Sequence, residues 1–271
     1  MQENLMEKIM EEVMKKVGES KVESPQSEEN KCGVVEENSE PKACGLTEFV
    51  GTAIGDSIGM VIANVDYNLH DAMGLDKKYR SVGIVGARTG AGPHIMATDE
   101  AVKATNTEII GIELARDTKG GAGHGCLILF GAEDVSDARR AVEVTLKELD
   151  RTFGDVYAND AGHLEFQYTA RASYACNKAF NAPLGKSFGL IVGAPAAIGV
   201  LMADTAVKAA NVDVVGYSSP AKGTSFSNEA ILTISGDSGA VRQSLIAAKE
   251  VGLQLLEAMA GEAPSSTTPY I

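Results

Sequence analysis

The chain of 271 residues has no tryptophan, only 7 phenylalanines and 7 tyrosines, and only 4 cysteines. So few aromatics disfavour the stacking platforms that bind sugars or bases. Cys32, Cys44, Cys126 and Cys176 form no CxxC pair, and no histidine lies at ligand spacing from them. Neither a metal site nor a cofactor is expected, and a reduced, cytoplasmic setting is the simplest reading. Positive charge is also scarce: 24 Lys and Arg against 37 Asp and Glu give a net charge of −13. Nucleic acid is excluded as an expected partner, because neutralising phosphates requires clustered basic side chains. Anionic membrane surfaces are disfavoured for the same reason. No apolar run approaches the ~20 residues that span a bilayer, and the N-terminus lacks the basic-then-apolar pattern of a secretory signal.

What the chain does contain is itself, twice. Ala101-Val102-Lys103-Ala104-Thr105-Asn106 returns as Ala206-Val207-Lys208-Ala209-Ala210-Asn211, a shift of 105 positions. Asp99 falls on Asp204, Ile109-Ile110-Gly111 on Val214-Val215-Gly216, and Gly131 on Gly236 at the same shift. Upstream, Ile84-Val85-Gly86-Ala87 recurs as Ile191-Val192-Gly193-Ala194 at a shift of 107, as do Tyr67 in Tyr174 and Ala72 in Ala179. Downstream, Asp134 and Arg139 recur in Asp237 and Arg242 at 103. The offset changes only where loops are expected. A period this long exceeds the 20–50 residues of solenoid units and matches a whole domain. Two copies of one domain form a pseudo-symmetric pair, the raw material of ring assemblies.

Ahead of the duplicated part, Leu5, Met6, Ile9, Met10 and Val13 form an apolar stripe at helical spacing over residues 1–17. Residues 18–45 are rich in Ser, Glu, Pro and Asn and read as a disordered, acidic linker. A short amphipathic helix is marginal alone. At the end of such a linker it is expected to dock as a tethered peptide on another protein.

The modules are expected at 46–158 and 159–261, followed by a tail at 262–271. Alternation and apolar runs predict strands at 59–63, 81–85, 108–113 and 126–130 and helices at 65–73, 95–104 and 136–148 in the first. In the second they predict strands at 163–168, 188–192, 213–218 and 230–235 and helices at 171–180, 198–210 and 240–259. Four mainly antiparallel strands with three helices per module give an α+β layer. Asp134 and Asp237 precede helices and are expected as N-caps. The glycines of 86–92 follow a strand but lack dinucleotide-binding spacing, and their counterpart in the second module has lost most of them. His124 near Asp117 shows no nucleophile elbow and has no counterpart in the second copy. His70, His94 and His163 read as structural. No catalytic residues are expected.

The run Val207-Lys208-Ala209-Ala210-Asn211-Val212, then Val215-Gly216-Tyr217, then Ile234-Ser235-Gly236-Asp237 resembles the bacterial microcompartment (BMC) shell domain. The strand and helix that close that domain in ordinary members precede it here, at 57–73 and 162–180. This order resembles the circularly permuted, tandem-domain members. Thr47-Glu48-Phe49-Val50-Gly51, Arg88-Thr89-Gly90-Ala91-Gly92-Pro93, Arg151-Thr152-Phe153-Gly154-Asp155 and Gly223-Thr224-Ser225-Phe226-Ser227-Asn228-Glu229 are similar to shell proteins of propanediol utilisation. The resemblance implies a homotrimer acting as a pseudohexagonal tile that joins other shell proteins around encapsulated enzymes. It implies no catalysis, with pores passing a small polyol or aldehyde. Lys103 and Lys208 then fall at the tile edge. Glu113, Arg116, Asp117, Lys119 and His124 of the first loop, and Ser218, Ser219, Ser225 and Asn228 of the second, fall at the pores. The N-terminal helix becomes a cargo anchor. The alternative from another class is a trimeric small-molecule sensor or enzyme of paired α+β domains.

Overall fold

The computed structural model describes residues 44–115, 125–223 and 227–271. The expected helix at 1–17 with Leu5, Met6, Ile9, Met10 and Val13, almost all of the linker, and Arg116, Asp117, Lys119, His124 and Ser225 lie outside the described residues. Gly45–Ile271 forms one unit. It contains two antiparallel sheets of the same topology.

The first sheet comprises β1 (Phe49–Ala53), β2 (Ser57–Ile62), β3 (Ser81–Ala87), β4 (Glu108–Ala115) and β5 (Gly125–Ala132), with helices α1 (Tyr67–Ala72), α2 (Ala91–Ala104) and α3 (Val135–Thr152). The second comprises β6 (Val156–Asn159), β7 (Gly162–Thr169), β8 (Ser187–Ala194), β9 (Val212–Ser218) and β10 (Ala230–Gly236), with α4 (Tyr174–Phe180), α5 (Ala196–Ala209) and α6 (Ser238–Ala260). Strand orders are β1-β2-β3-β5-β4 and β6-β7-β8-β10-β9. Both sheets break register at one equivalent place: Ile110 is skipped between β4 and β5, and Val215 between β9 and β10. Those residues are themselves related by the 105-residue shift. A bulge re-aims a strand edge, so its recurrence shows that the duplicated sequence folds alike down to its irregularities.

The helices follow from their apolar stripes. Ala138, Ala141, Val142, Thr145 and Leu149 of α3 are buried at steps of three and four, and Arg139, Arg140 and Lys147 fall between them. Val142 joins Val85, Ile128 and Phe130 in the first core. Val241, Leu245, Ala248 and Leu256 of α6 similarly cover Leu164, Phe166, Ile191 and Ile234. Each such large side chain contributes roughly 1.5–3 kcal/mol on burial.

The fold class and the paired α+β modules are as expected, but each sheet has five strands instead of four. β1 and β6 are short outer-edge strands, recognisable by hairpin pairing with β2 and β7 and too brief to show a periodicity. The second sheet therefore starts at Val156. Helix α2 starts at Ala91, ahead of the expected Ile95, because Gly90 at φ 74° turns the chain straight into the helix. Pro93 is tolerated there because first-turn N–H groups lack intrahelical partners. Asp134 and Asp237 do occupy N-cap positions, yet neither side chain accepts a capping hydrogen bond.

The C-terminal segment expected as a tail is docked on the second module. The N–H groups of Tyr270 and Ile271 donate to Asp155 Oδ2 at 2.8 and 2.9 Å, and Ser266 N–H donates to Val156 O at 2.8 Å. Lys249 Nζ lies 2.9 Å from Asp155 Oδ1 and donates to Ile271 O at 2.8 Å. Asp155 is fully buried, so this network compensates the desolvation of its charge.

Candidate functional site

The two modules meet along α2 and α4, where Met96, Ala172, Cys176, Ala182, Phe188 and Leu190 form one buried cluster. Asp99 is the polar centre of this junction. It has no exposed surface and accepts Ser173 N–H at 2.9 Å (Oδ2) and Cys176 N–H at 3.0 Å (Oδ1). Ser173 makes no side-chain cap of its own at the start of α4. A carboxylate from the other module thus satisfies the orphan donors that every helix start leaves.

Lys103 stands one turn along α2 from Asp99. Its ammonium contacts Asp99 Oδ2 at 3.0 Å, Glu100 Oε1 at 2.9 Å and Thr169 Oγ1 at 3.4 Å. An ammonium carries three donors, and three acceptors are in place. Its side chain is 26% exposed, whereas that of its repeat partner Lys208 is 72% exposed and pairs with Asp204 at 2.6 Å.

Beside the junction, a cavity of about 40 Å³ lies between the start of α2 (Ala91, Gly92, Ile95) and the second sheet (Glu165, Leu190, Val192, Ile231), with Leu114, Phe180 and Glu229 completing the wall. Glu165 is buried and its Oε1 has no hydrogen-bond partner. Burial, then the neighbouring Glu229 carboxylate, pushes the Glu165 carboxyl up to about 8. His163 Nε2 lies 3.5 Å from Glu229 Oε2. A second, larger recess of about 250 Å³ shares Leu114, Phe180 and Ile231 with the cavity and is lined further by Tyr217, Ser218 and Gly223.

Four of the residues expected at the pores, Glu113, Ser218, Ser219 and Asn228, fall among the described residues. Ser218 lines the larger recess. Ser219 closes a turn through backbone bonds with Lys222. Asn228 Oδ1 accepts Ala196 N–H at 3.3 Å and so caps α5. Glu113 is exposed on β4. The expectation of structural histidines fits His94: Nδ1 donates to Gly90 O at 2.5 Å, Nε2 lies 2.6 Å from Ser57 Oγ, and burial drives its pKa down to about 4. Ser57 and His94 are both buried, and their contact holds β2 to α2.

Sequence reading missed Glu165. On β7, alternation puts Leu164 and Phe166 on one face and His163, Glu165 and Gln167 on the other, and both faces are buried. The repeat held a signal: Glu165 stands where the first module has Ile58, a polar-for-apolar exchange on a strand face.

Duplicated five-stranded sheets, joined through a helix of each module, define a class of protein made of two permuted copies of one domain. The BMC domain family matches residues 81–160 and 187–264, together more than half of the chain. The chain belongs to this family of bacterial microcompartment shell proteins. Within it, the chain is 71% identical over 230 residues to the bacterial microcompartment shell protein PduB of Citrobacter freundii, covering 85% of each. It is 56% identical over 225 residues to PduB of Limosilactobacillus reuteri, covering 83% of this chain and 94% of that one. The crystal structure of a trimeric bacterial microcompartment shell protein PduB aligns with a TM-score of 0.80 at 55% identity, covering 83% of this chain and 100% of the other.

Proposed function

We propose that the protein is a non-catalytic tile of a propanediol-utilisation microcompartment shell in the cytoplasm, working as a homotrimer whose six modules mimic a hexagon. The observation that carries this reading is an imbalance between equivalent helix faces. Leu69 on α1 and Val200 and Leu201 on α5 are 46%, 49% and 45% exposed. Their repeat counterparts, Cys176, Ile95 and Met96, are buried at the junction inside the chain. Packing α5 of one copy on α1 of the next covers these faces and repeats the internal junction around a ring. The trimeric PduB relative supports that closure.

At the tile edge the active lysine is Lys208, because Lys103 already has an acceptor for each of its donors. Lys208 is free to bury its stem and reach acceptors across a seam. The loops after β4 and β9 frame pores within each subunit for small polar metabolites, where hydroxyl and backbone groups replace part of a permeant's hydration. The N-terminal stripe of Leu5, Met6, Ile9, Met10 and Val13 holds encapsulated enzyme at the inner face.

One electron-microscopy experiment on shells co-expressed with cargo tests the proposal. Lys208→Asp gives discrete trimers without extended sheets, while a chain lacking residues 1–44 still tiles but loses cargo. Normal tiling by Lys208→Asp refutes the edge assignment, and retained cargo in the shortened chain refutes the anchor.

A further inference from the structure

We propose that copies of this chain recognise one another through an exchange of helix caps. The Asp204 carboxylate on α5 of one copy takes the Asp66 and Leu69 N–H groups of α1 in the next, and displaces the Asp66 side chain that holds this helix start in the free chain. The inference rests on the ring reading above and names the polar contact at the centre of each boundary between copies.

The junction inside the chain supplies the geometry. There Ser173 makes no side-chain cap for α4, and Asp99 from α2 accepts Ser173 N–H at 2.9 Å and Cys176 N–H at 3.0 Å. Each of these partners has a repeat counterpart on an open face. Asp204 stands for Asp99 at the 105-residue shift, and Asp66 and Leu69 stand for Ser173 and Cys176 at 107. The Asp99 side chain is fully buried, whereas that of Asp204 is 50% exposed. The backbone ahead of the two helices agrees as well: Val65 N–H donates to Arg80 O at 3.1 Å, and Ala172 N–H to Lys186 O at 2.8 Å. Asp66 N–H, the counterpart of Ser173 N–H, meets no acceptor among the described residues. Val200 and Leu201 precede Asp204 by four and three residues and share its face of α5, so covering them brings the carboxylate to the boundary.

One exchange changes the chemistry. Where α4 has Ser173, α1 has Asp66, whose Oδ1 accepts Asn68 N–H at 2.9 Å and Leu69 N–H at 3.3 Å. Asp66 and Asp204 therefore compete for the Leu69 N–H. Two carboxylates brought to one donor repel, and more strongly once water is excluded. Asp66 is exposed and can turn to water, and so is Asn68, whose N–H water then satisfies. Asp204 stays, because Val200 and Leu201 hold its helix face against the neighbour. It also keeps Lys208, as Asp99 keeps Lys103 on the same Oδ2 that accepts Ser173 N–H. The remaining donors of Lys208 stay available to the tile edge. Asp66 thus caps α1 in a free copy and acts as a brake on assembly, which the internal junction, with serine at that place, does not carry.

The test is subunit exchange between full-length chains labelled at the N-terminus with donor and acceptor fluorophores, with sedimentation to establish the trimer. Asp66→Ser copies the helix start of α4 and keeps a capping hydroxyl. It should slow exchange at least tenfold. Asp204→Ala should speed exchange at least tenfold, and in that background Asp66→Ser should change the rate less than threefold, because no second carboxylate competes. Should Asp204→Ala not assemble, Asp204→Asn, which retains one acceptor oxygen, replaces it, with exchange at least threefold faster. Exchange unchanged or faster in Asp66→Ser, exchange unchanged in the Asp204 variant, or a full Asp66→Ser effect in its background each overturns the cap exchange and leaves the ring standing. Sedimentation of the unaltered chain as a monomer at every concentration removes the ring, and the inference with it.

Discussion

Asp99→Ala is expected to be among the most damaging single substitutions outside the two cores. Asp99 is fully buried, and its carboxylate satisfies the Ser173 and Cys176 N–H groups and the Lys103 ammonium. Hydrogen bonds to a charged group contribute about 1.5–3 kcal/mol each, and breaking a buried ion pair costs about 3–5 kcal/mol. These figures overlap and do not add. Lys103 retains Glu100 and Thr169 and is partly exposed, which offsets some of the loss. A net cost of about 3–4 kcal/mol follows, which for a chain of this size lowers Tm by roughly 6–16 °C. Asp99→Asn keeps the shape but turns an NH₂ toward donors, so about 2–3 kcal/mol is expected from it. Urea unfolding at fixed protein concentration, with unchanged slope, is the assay. Glu100→Ala is the control: it removes a more exposed partner of the same lysine and should cost no more than about 1 kcal/mol. If Asp99→Ala costs no more than Glu100→Ala, the carboxylate is not what holds α4 to the first module.

Three further predictions concern pH and the C-terminal segment. The Glu165 carboxyl rises from an ordinary 4.5 to about 8 in the folded protein, so folding takes up a proton, and stability falls as pH climbs from about 4.5 to 8. Glu165→Gln removes that dependence; its stabilising effect is near zero at pH 4.5 and reaches about 3 kcal/mol at pH 7, at 1.36 kcal/mol per pKa unit. An equal effect at pH 5 and pH 8 would refute this. His94 runs the other way: its pKa falls from 6.5 to about 4 on burial, so stability is full above pH 6.5 and is lost as pH drops toward 4. Gly154→Ala would place a Cβ 2.1 Å from Thr268 O. It should unseat residues 265–271 at a cost of about 1–3 kcal/mol, read as faster hydrogen exchange at the Tyr270 and Ile271 amides; unchanged protection there counts against the docked segment.

Much of the architecture was legible because duplication makes each half a check on the other. Eight of the strands and all six described helices announced themselves through alternation or 3.6-residue stripes. β1 and β6 did not, because five- and four-residue strands carry too few positions to define a period, and only their pairing with β2 and β7 reveals them. The site was harder to read. The sequence places Asn228 in the second loop, but nothing in its local sequence states that Ala196 N–H lies within reach of its Oδ1. Glu165 lies on a strand buried on both faces, and a strand's alternation alone does not say that its polar face is covered.

The sequence by itself determined that there are two modules, that they share one topology, and where their helices and central strands lie. All of these follow from patterns a few residues long and from self-similarity. Tertiary structure alone decided which member of each repeated pair does what. Asp99 and Asp204, Lys103 and Lys208, and Glu165 and Ile58 occupy matching positions. One of each pair sits at a junction packed by residues far away in the chain, and the other remains on an open face. Burial changes what a charge costs and what it can bond to, and burial is set by neighbours that local sequence does not name.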